Sequence, residues 1–413
     1  MQTLKSILHY TNIVGLLWTL CLCIVNISLP RWVLLTGLYI FFATWLIEVI
    51  WERRWQTKPN REWLFFGLLI LFFLLAFLYW PWDGNHIYFH HHIEQRLPLL
   101  GFGIVGLFGL NKHYSRATII NTMILLSVFS VLYVATRAGW HHLIHSHWRA
   151  WYFTDARNKF VNAHMWYDFF LNSTLIGIWY LLFQSERKPA LWQKITYPLA
   201  AIIMLVALYF SEGRTGFFTA FALLGIMLII AAFKRTQWLG YVITVIASVA
   251  LIGISTTHQR MSKQDLTGDL RYAYWKAAAE LIEQKPVLGY GMSRAQEEFD
   301  QVNIKYADES FMEYLRPVRD THYIDCHNQY IQTTLEYGFV GLILLLAIYL
   351  SPIWITFGKK GWGLALFYTL ISMGQSLFDM FITGGRFNTL YCILMLLAIS
   401  VKDDYLCSDP HEA

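Results

Sequence analysis

The sequence predicts an all-α polytopic membrane protein with about 12 transmembrane helices and one large, partly helical outside loop between helices 9 and 10. Three observations carry that reading. The 413 residues are 56% hydrophobic and only 14% charged, where a soluble domain holds about 25% charged residues. Apolar runs recur from end to end, many close to the ~20 residues that a bilayer crossing needs. The polar residues instead concentrate in one interruption, Thr256 to Gln332.

Taken in order, the apolar segments are Ile13–Leu29, Trp32–Ile50, Trp63–Trp80, Leu97–Leu110, Thr118–Thr136, Trp166–Phe183, Ile195–Phe210, Phe217–Phe233, Leu239–Ile254, Tyr337–Phe357, Gly361–Ile382 and Phe387–Val401. Leu97–Leu110 is the shortest, and reads as re-entrant or as part of a longer tilted helix. The first run lacks a small-residue cleavage site and is read as a retained helix, not a signal peptide. Residues 1–255 then carry helices 1–9, residues 256–332 the outside loop, and residues 333–413 helices 10–12 with a tail.

Charge placement orients the chain. With the N-terminus inside and every segment crossing, the inside stretches hold 15 of the 32 basic residues and the short outside stretches 8. That bias puts both termini in the cytoplasm and the long loop outside. It also accounts for the formal net charge of +5, so no nucleic-acid partner is implied. Trp51, Trp80, Trp82, Trp140, Trp148, Trp151, Trp166 and Trp238 cluster at segment ends, as interfacial belts do. The five cysteines show neither metal nor disulfide spacing, and Cys326 is the only one in the long loop.

Candidate functional residues lie on the outside. Ser211-Glu-Gly-Arg-Thr-Gly216 is a tight turn that opens a helix. Free amides at a helix N-terminus favour an anion, and Arg214 adds a forked donor; an arginine snorkelling to lipid headgroups reads equally well from this turn alone. Leu270 to Glu283 has helical spacing of Leu270, Tyr274, Ala277, Ala278 and Leu281, with Asp269 as N-cap and Lys285-Pro286 as stop. Arg271 sits in its first turn, against the helix dipole, and asks for an anion: Asp269, Glu212 or a phosphate. Arg294 follows the Gly289-Tyr-Gly291 turn, where backbone can approach a ligand. His327 begins the last helical stretch of the loop, with Asp325 as a possible cap. Added positive charge is opposed at a helix N-terminus, so the ring is read as a proton acceptor. A lone His is more often structural; several arginines in the same compartment raise this one.

The histidine stretches His86/His90–His92 and His141/His142/His145/His147 include one i, i+4 pair with metal-ligand spacing, His141 and His145. With only Glu94 and Asp155 near in sequence, interfacial or acceptor-contact roles are favoured over metal. His164-Met-Trp-Tyr167 and Asp168 open a helix at the outside face, where His164 and Tyr167 line a candidate acceptor entrance.

The order of an outside Ser-x-x-Arg-Thr turn, Arg271 with Trp275, Pro286-x-x-Gly-x-Gly and His327-Asn-x-x-x-x-x-x-Leu-x-x-Gly338, inside a twelve-helix frame, resembles the O-antigen ligase/polymerase superfamily of bacterial envelope enzymes. The resemblance implies a GT-C-like membrane glycosyltransferase of lipopolysaccharide biosynthesis. It would move a glycan from undecaprenyl pyrophosphate to a sugar hydroxyl of lipid A–core, at the periplasmic face of the inner membrane. It assigns Arg214, Arg271 and Arg294 to the pyrophosphate and His327 to catalysis, with no metal and no cofactor. Polymerases and protein O-oligosaccharyltransferases share the pattern, so the acceptor is left open. A lipid-linked sugar transporter is the alternative from another class; it predicts ionisable residues at mid-membrane depth. Here the main in-segment acids, Asp379 and Glu48, lie toward segment ends. A structural scaffold would need neither the arginines nor the His.

Overall fold

A computed structural model describes residues 2–24, 31–56, 59–82, 86–110, 114–145, 164–186, 188–211, 214–236, 242, 246, 270–303, 305–306 and 325–401. Among them are thirteen α-helices and no strands. These are α1 (Gln2–Ile24), α2 (Arg31–Glu52), α3 (Trp63–Leu75), α4 (His86–Phe108), α5 (Arg116–His145), α6 (His164–Phe183), α7 (Leu191–Phe210), α8 (Arg214–Arg235), α9 (Leu270–Gln284), α10 (Met292–Asn303), α11 (Gln329–Thr356), α12 (Trp362–Gln375) and α13 (Gly385–Ile399). A 3-10 stretch, Ala76–Trp82, extends α3. The all-α polytopic class is as expected: among the described residues six helical stretches are long and apolar enough to cross a membrane.

Eleven of the twelve apolar segments coincide with described helices; Leu239–Ile254 lies almost entirely outside the described residues. The short fourth segment is the second half of α4, whose 23 residues reach about 34 Å at 1.5 Å per residue. In α13, every residue from Phe387 to Ile399 is buried. A helix that is apolar all round belongs at the centre, and α13 packs against α4, α11 and α12. Arg116 holds its last carbonyls, donating to the Leu397 and Ala398 oxygens at 3.1 Å, which supplies partners that a helix C-terminus otherwise lacks.

The segment Gly361–Ile382 is not helical throughout. Helix α12 ends at Gln375, and the start of α11 binds the carbonyls just beyond it: Gln329 N donates to Ser376 O at 2.8 Å and Asn328 Nδ2 to Leu377 O at 3.1 Å. Asp379 therefore stands in the connection after α12, not in a helix.

Outside the bundle, α9 and α10 form a small cap with its own core. Tyr274, Ala277, Ala278 and Leu281 of α9 meet Ala295, Phe299 and Val302 of α10, together with Cys326 and Leu335. The apolar stripe expected on α9 thus faces α10 and the start of α11. Asp269, its expected N-cap, falls outside the described residues.

The cap is tied to the bundle at a break in α11. Gly338 has φ +64 and ψ −162 inside an otherwise helical run. The turn and loop Pro286–Gly291 cross there and take up the backbone groups the break releases. Tyr290 N donates to Leu335 O at 3.1 Å and Gly291 N to Glu336 O at 2.8 Å, while Phe339 N donates to Pro286 O at 2.8 Å. Backbones can come this close because Gly289 and Gly338 face each other. A Cβ on Gly289 would lie 2.7 Å from the Glu336 carbonyl, and one on Gly338 2.2 Å from that of Val287. The Gly-x-Gly turn, read from sequence as open to a ligand, is occupied by the backbone of α11.

Candidate active site

His327 sits where the cap meets α11. Its φ of +46 is left-handed, a region sparsely visited by residues other than glycine, though histidine is enriched there. The surrounding hydrogen bonds impose it. Asp325 Oδ1 accepts from His327 N at 2.8 Å, Gln332 Oε1 accepts from Cys326 N at 3.2 Å, and Trp275 Nε1 of α9 donates to Cys326 O at 3.1 Å. Helix α11 is capped by Asn328, not Asp325: Asn328 Oδ1 accepts from Tyr330 N and Ile331 N at 3.0 and 3.1 Å. That frees Asp325 to face the ring of His327, its Oδ1 3.4 Å from Nδ1. The imidazole is 43% exposed, so its far edge is open to a ligand, and it stands 6.0 Å from the ring of Tyr274.

A second carboxylate completes the cluster. Gln329 Oε1 accepts from Ile382 N at 2.9 Å and Thr383 N at 3.1 Å. With the bonds from Gln329 N and Asn328 Nδ2 this wraps the 376–383 connection around the start of α11. The connection carries Asp379, which feels the charges of Asp325, His327 and Arg271. Burial pushes its carboxyl up to about 6; Asp325 adds to the rise, while a hydrogen bond from Met380 N and the charges of His327 and Arg271 oppose it. The residue escaped the sequence reading because it was assigned to a helix; its only sequence signal was a carboxylate at the end of an apolar run.

That shift has a measurable consequence. A carboxyl with a raised native pKa makes ionisation unfavourable to the fold, so stability is greatest below its unfolded pKa and is lost as pH rises through about 6. Asp379→Asn, which keeps the oxygen that accepts from Met380 N, should therefore stabilise the protein at pH 7.5, by at most about 3 kcal/mol. The gain should shrink as pH falls from 7.5 to 5. A melting temperature that drops on substitution at pH 7.5 would contradict the assignment.

The remaining candidates divide. Arg271, in the first turn of α9, joins the cluster through the field it exerts on Asp379. Arg294 on α10 is half exposed and pairs with Glu298 of its own helix, Nε to Oε1 3.6 Å. Arg214 and His164 open α8 and α6, and their side chains fall outside the described residues. Tyr167 is fully buried in α6. Beside it, Asp168 accepts a 2.7 Å hydrogen bond from Ser211 Oγ and fills the space next to Gly216, where a Cβ would lie 2.2 Å from its own. Gly216 thus admits a side chain of α6 at the start of α8. Burial pushes the Cys326 thiol well above its usual range, which removes it as a thiolate nucleophile. Among the described residues no three His, Cys, Asp or Glu side chains converge as metal ligands.

The described residues define a multi-pass, all-helical membrane protein in which His327 and Asp325 meet at the start of α11. Residues 199–346, from within α7 to within α11, match the family model described as O-antigen ligase. The resemblance to the O-antigen ligase/polymerase superfamily holds over that stretch, which contains Arg214, Arg271, Arg294, His327 and Gly338. No curated protein matches the chain. Arg96 and Asp379 lie outside the matched residues.

Proposed function

We propose that the protein is an O-antigen ligase: an inverting, metal-independent glycosyltransferase that moves a glycan from undecaprenyl pyrophosphate to a sugar hydroxyl of lipid A–core. On this reading it works at the periplasmic face of the bacterial inner membrane. The observation that carries it is the left-handed, partly exposed His327, backed by Asp325 and gathered with Arg271; the family match over residues 199–346 supports the donor class.

Nε2 of His327 takes the proton of the acceptor hydroxyl as that oxygen attacks C1 of the donor sugar. The C1–O bond to pyrophosphate breaks, and its electron pair leaves on the pyrophosphate oxygen. One displacement inverts C1. The imidazolium that forms is stabilised by Asp325 at Nδ1, as carboxylate–histidine pairs are. Arg271 and Arg214 neutralise the charge growing on the departing group, and Arg294 supplies further positive charge at the cap. His164 is assigned to the acceptor side, and Tyr167, fully buried in α6, supports that end of the helix from within.

The test is a reconstituted assay with purified protein, undecaprenyl-pyrophosphate-linked glycan and lipid A–core. Covalent transfer to core supports the ligase. Lengthening of the lipid-linked glycan without transfer to core makes it a polymerase instead, and movement between leaflets without transfer a transporter. Transfer should survive EDTA; loss restored by a divalent cation would return the histidine stretches of α4 and α5 to consideration as ligands.

A further inference from the structure

Arg96 reads from sequence as a short-loop arginine near the outside surface. In the structure it is completely buried in α4, where an unpaired cation would be costly. Its Nη2 donates to Glu336 Oε2 at 2.7 Å, and its Nη1 donates to the Tyr337 hydroxyl. The other Glu336 oxygen, Oε1, accepts from Gln332 Nε2 at 2.9 Å. Gln332 Oε1 in turn accepts from Cys326 N at 3.2 Å. Arg96, Glu336, Gln332 and Cys326, 0–3% exposed, thus form one continuous path. It runs from a membrane helix to the amide immediately before His327, joining residues 240 positions apart.

We propose that Arg96, Glu336 and Gln332 are positioning residues for the transfer reaction: a buried relay that fixes the backbone at Cys326 and so aims the His327 ring. The proposal rests on the reading of His327 as the base. The direction of dependence follows from chemistry. Gln332 has one amide oxygen and one NH2 group. Glu336 accepts from the NH2 side and thereby leaves the oxygen facing Cys326 N. Glu336 is held in turn by Arg96, which neutralises it. A left-handed residue other than glycine keeps its conformation only when its surroundings over-determine it. Here Asp325, Trp275 and Gln332 each hold one backbone group of Cys326 or His327, and only Gln332 reaches back into the bundle. Misplacing a catalytic group by about 1 Å can cost 10²-fold in rate, so the relay acts on turnover, not on donor affinity.

The experiment compares Gln332→Met, which removes both Gln332 bonds of the relay, with Glu336→Gln, which keeps an acceptor oxygen but not the charge. Both are assayed with undecaprenyl-pyrophosphate-linked glycan and lipid A–core. Gln332→Met should lower kcat about 10-fold or more on that positional argument, with donor KM little changed; Glu336→Gln, which leaves buried Arg96 without its counter-charge, should lower kcat in the same direction, again with donor KM little changed. Added to His327→Ala, Gln332→Met should lower the residual rate no further, since groups that act as a unit are non-additive. Equal falls in stability, donor affinity and turnover, or full additivity with His327→Ala, would reduce the path to ordinary core structure and overturn the proposal. If Gln332→Met does not fold, Arg96→Lys serves in its place: it keeps the charge, and the same split between kcat and KM decides. Wild-type turnover in His327→Ala refutes the base reading and the relay with it. Loss there with normal Gln332→Met turnover refutes the relay alone.

Discussion

His327→Asn should lower glycan transfer by about 10²–10⁴-fold, the usual contribution of a general base, while binding of the lipid-linked donor holds. The choice of asparagine matters because His327 is left-handed, with φ +46. Asparagine visits that region readily and can still hydrogen-bond Asp325, so the backbone and the cap are preserved and only basicity is lost. His327→Ala removes the base as well but adds a backbone penalty of about 1–2 kcal/mol for a left-handed alanine. If His327 only caps or packs the start of α11, His327→Asn keeps near-normal rates, and that result would refute the role. Arg271 supplies the contrast. The pyrophosphate is charged before and during reaction, so Arg271→Ala should raise the donor Kd as well as lower turnover. Arg271→Lys should recover only part of either, because an ammonium cannot reproduce a guanidinium's planar fork. Donor binding measured on the same preparations separates the two roles.

The membrane frame was legible because burial in lipid imposes composition, and composition survives in a bare sequence. The apolar runs and the amphipathic stripe of α9 came from periodicity, and His327 was singled out by charge and the order of motifs. What escaped was whatever depends on chain crossing. Helix α10 is polar by composition, yet Met292, Ala295, Phe299 and Val302 recur at helical spacing and are buried; the signal was present and was masked by Arg294, Glu297 and Glu298. Asp379 was misread because apolarity continues to Ile382, whereas α12 stops at Gln375, and α11 supplies partners for the carbonyls just beyond it. Asp325 was expected as a cap because it precedes a helix, but Asn328 stands nearer the first free amides and takes that task. Gly289 and Gly291 were read as places where backbone could approach a ligand, and Gly289 instead lies against protein backbone. The object approaching is α11, and no one-dimensional pattern names it.

Gly338→Ala should be the most destructive single-methyl change in the outer half of the protein. Two penalties add. The backbone conformation, φ +64 and ψ −162, lies in a region essentially restricted to glycine, costing about 1–3 kcal/mol for another residue. The new Cβ would also lie 2.2 Å from the carbonyl carbon and oxygen of Val287 and 2.5 Å from Leu288 N. Those are backbone atoms with no rotamer to escape into, so the Pro286–Gly291 crossing must move. Moving it strains the bonds from Phe339 N to Pro286 O and from Tyr290 N and Gly291 N to α11, each worth about 1 kcal/mol. The sum is several kcal/mol, comparable with the 5–15 kcal/mol that holds a typical domain together. Gly358→Ala is the control: Gly358 also has positive φ, +75, but a Cβ there meets nothing within 4 Å, so only the backbone penalty applies. Melting of the detergent-solubilised proteins should show a small drop for Gly358→Ala and a far larger one, or failure to accumulate, for Gly338→Ala. Equal, small drops would mean that the crossing yields easily, and that the cap is not locked to the break in α11.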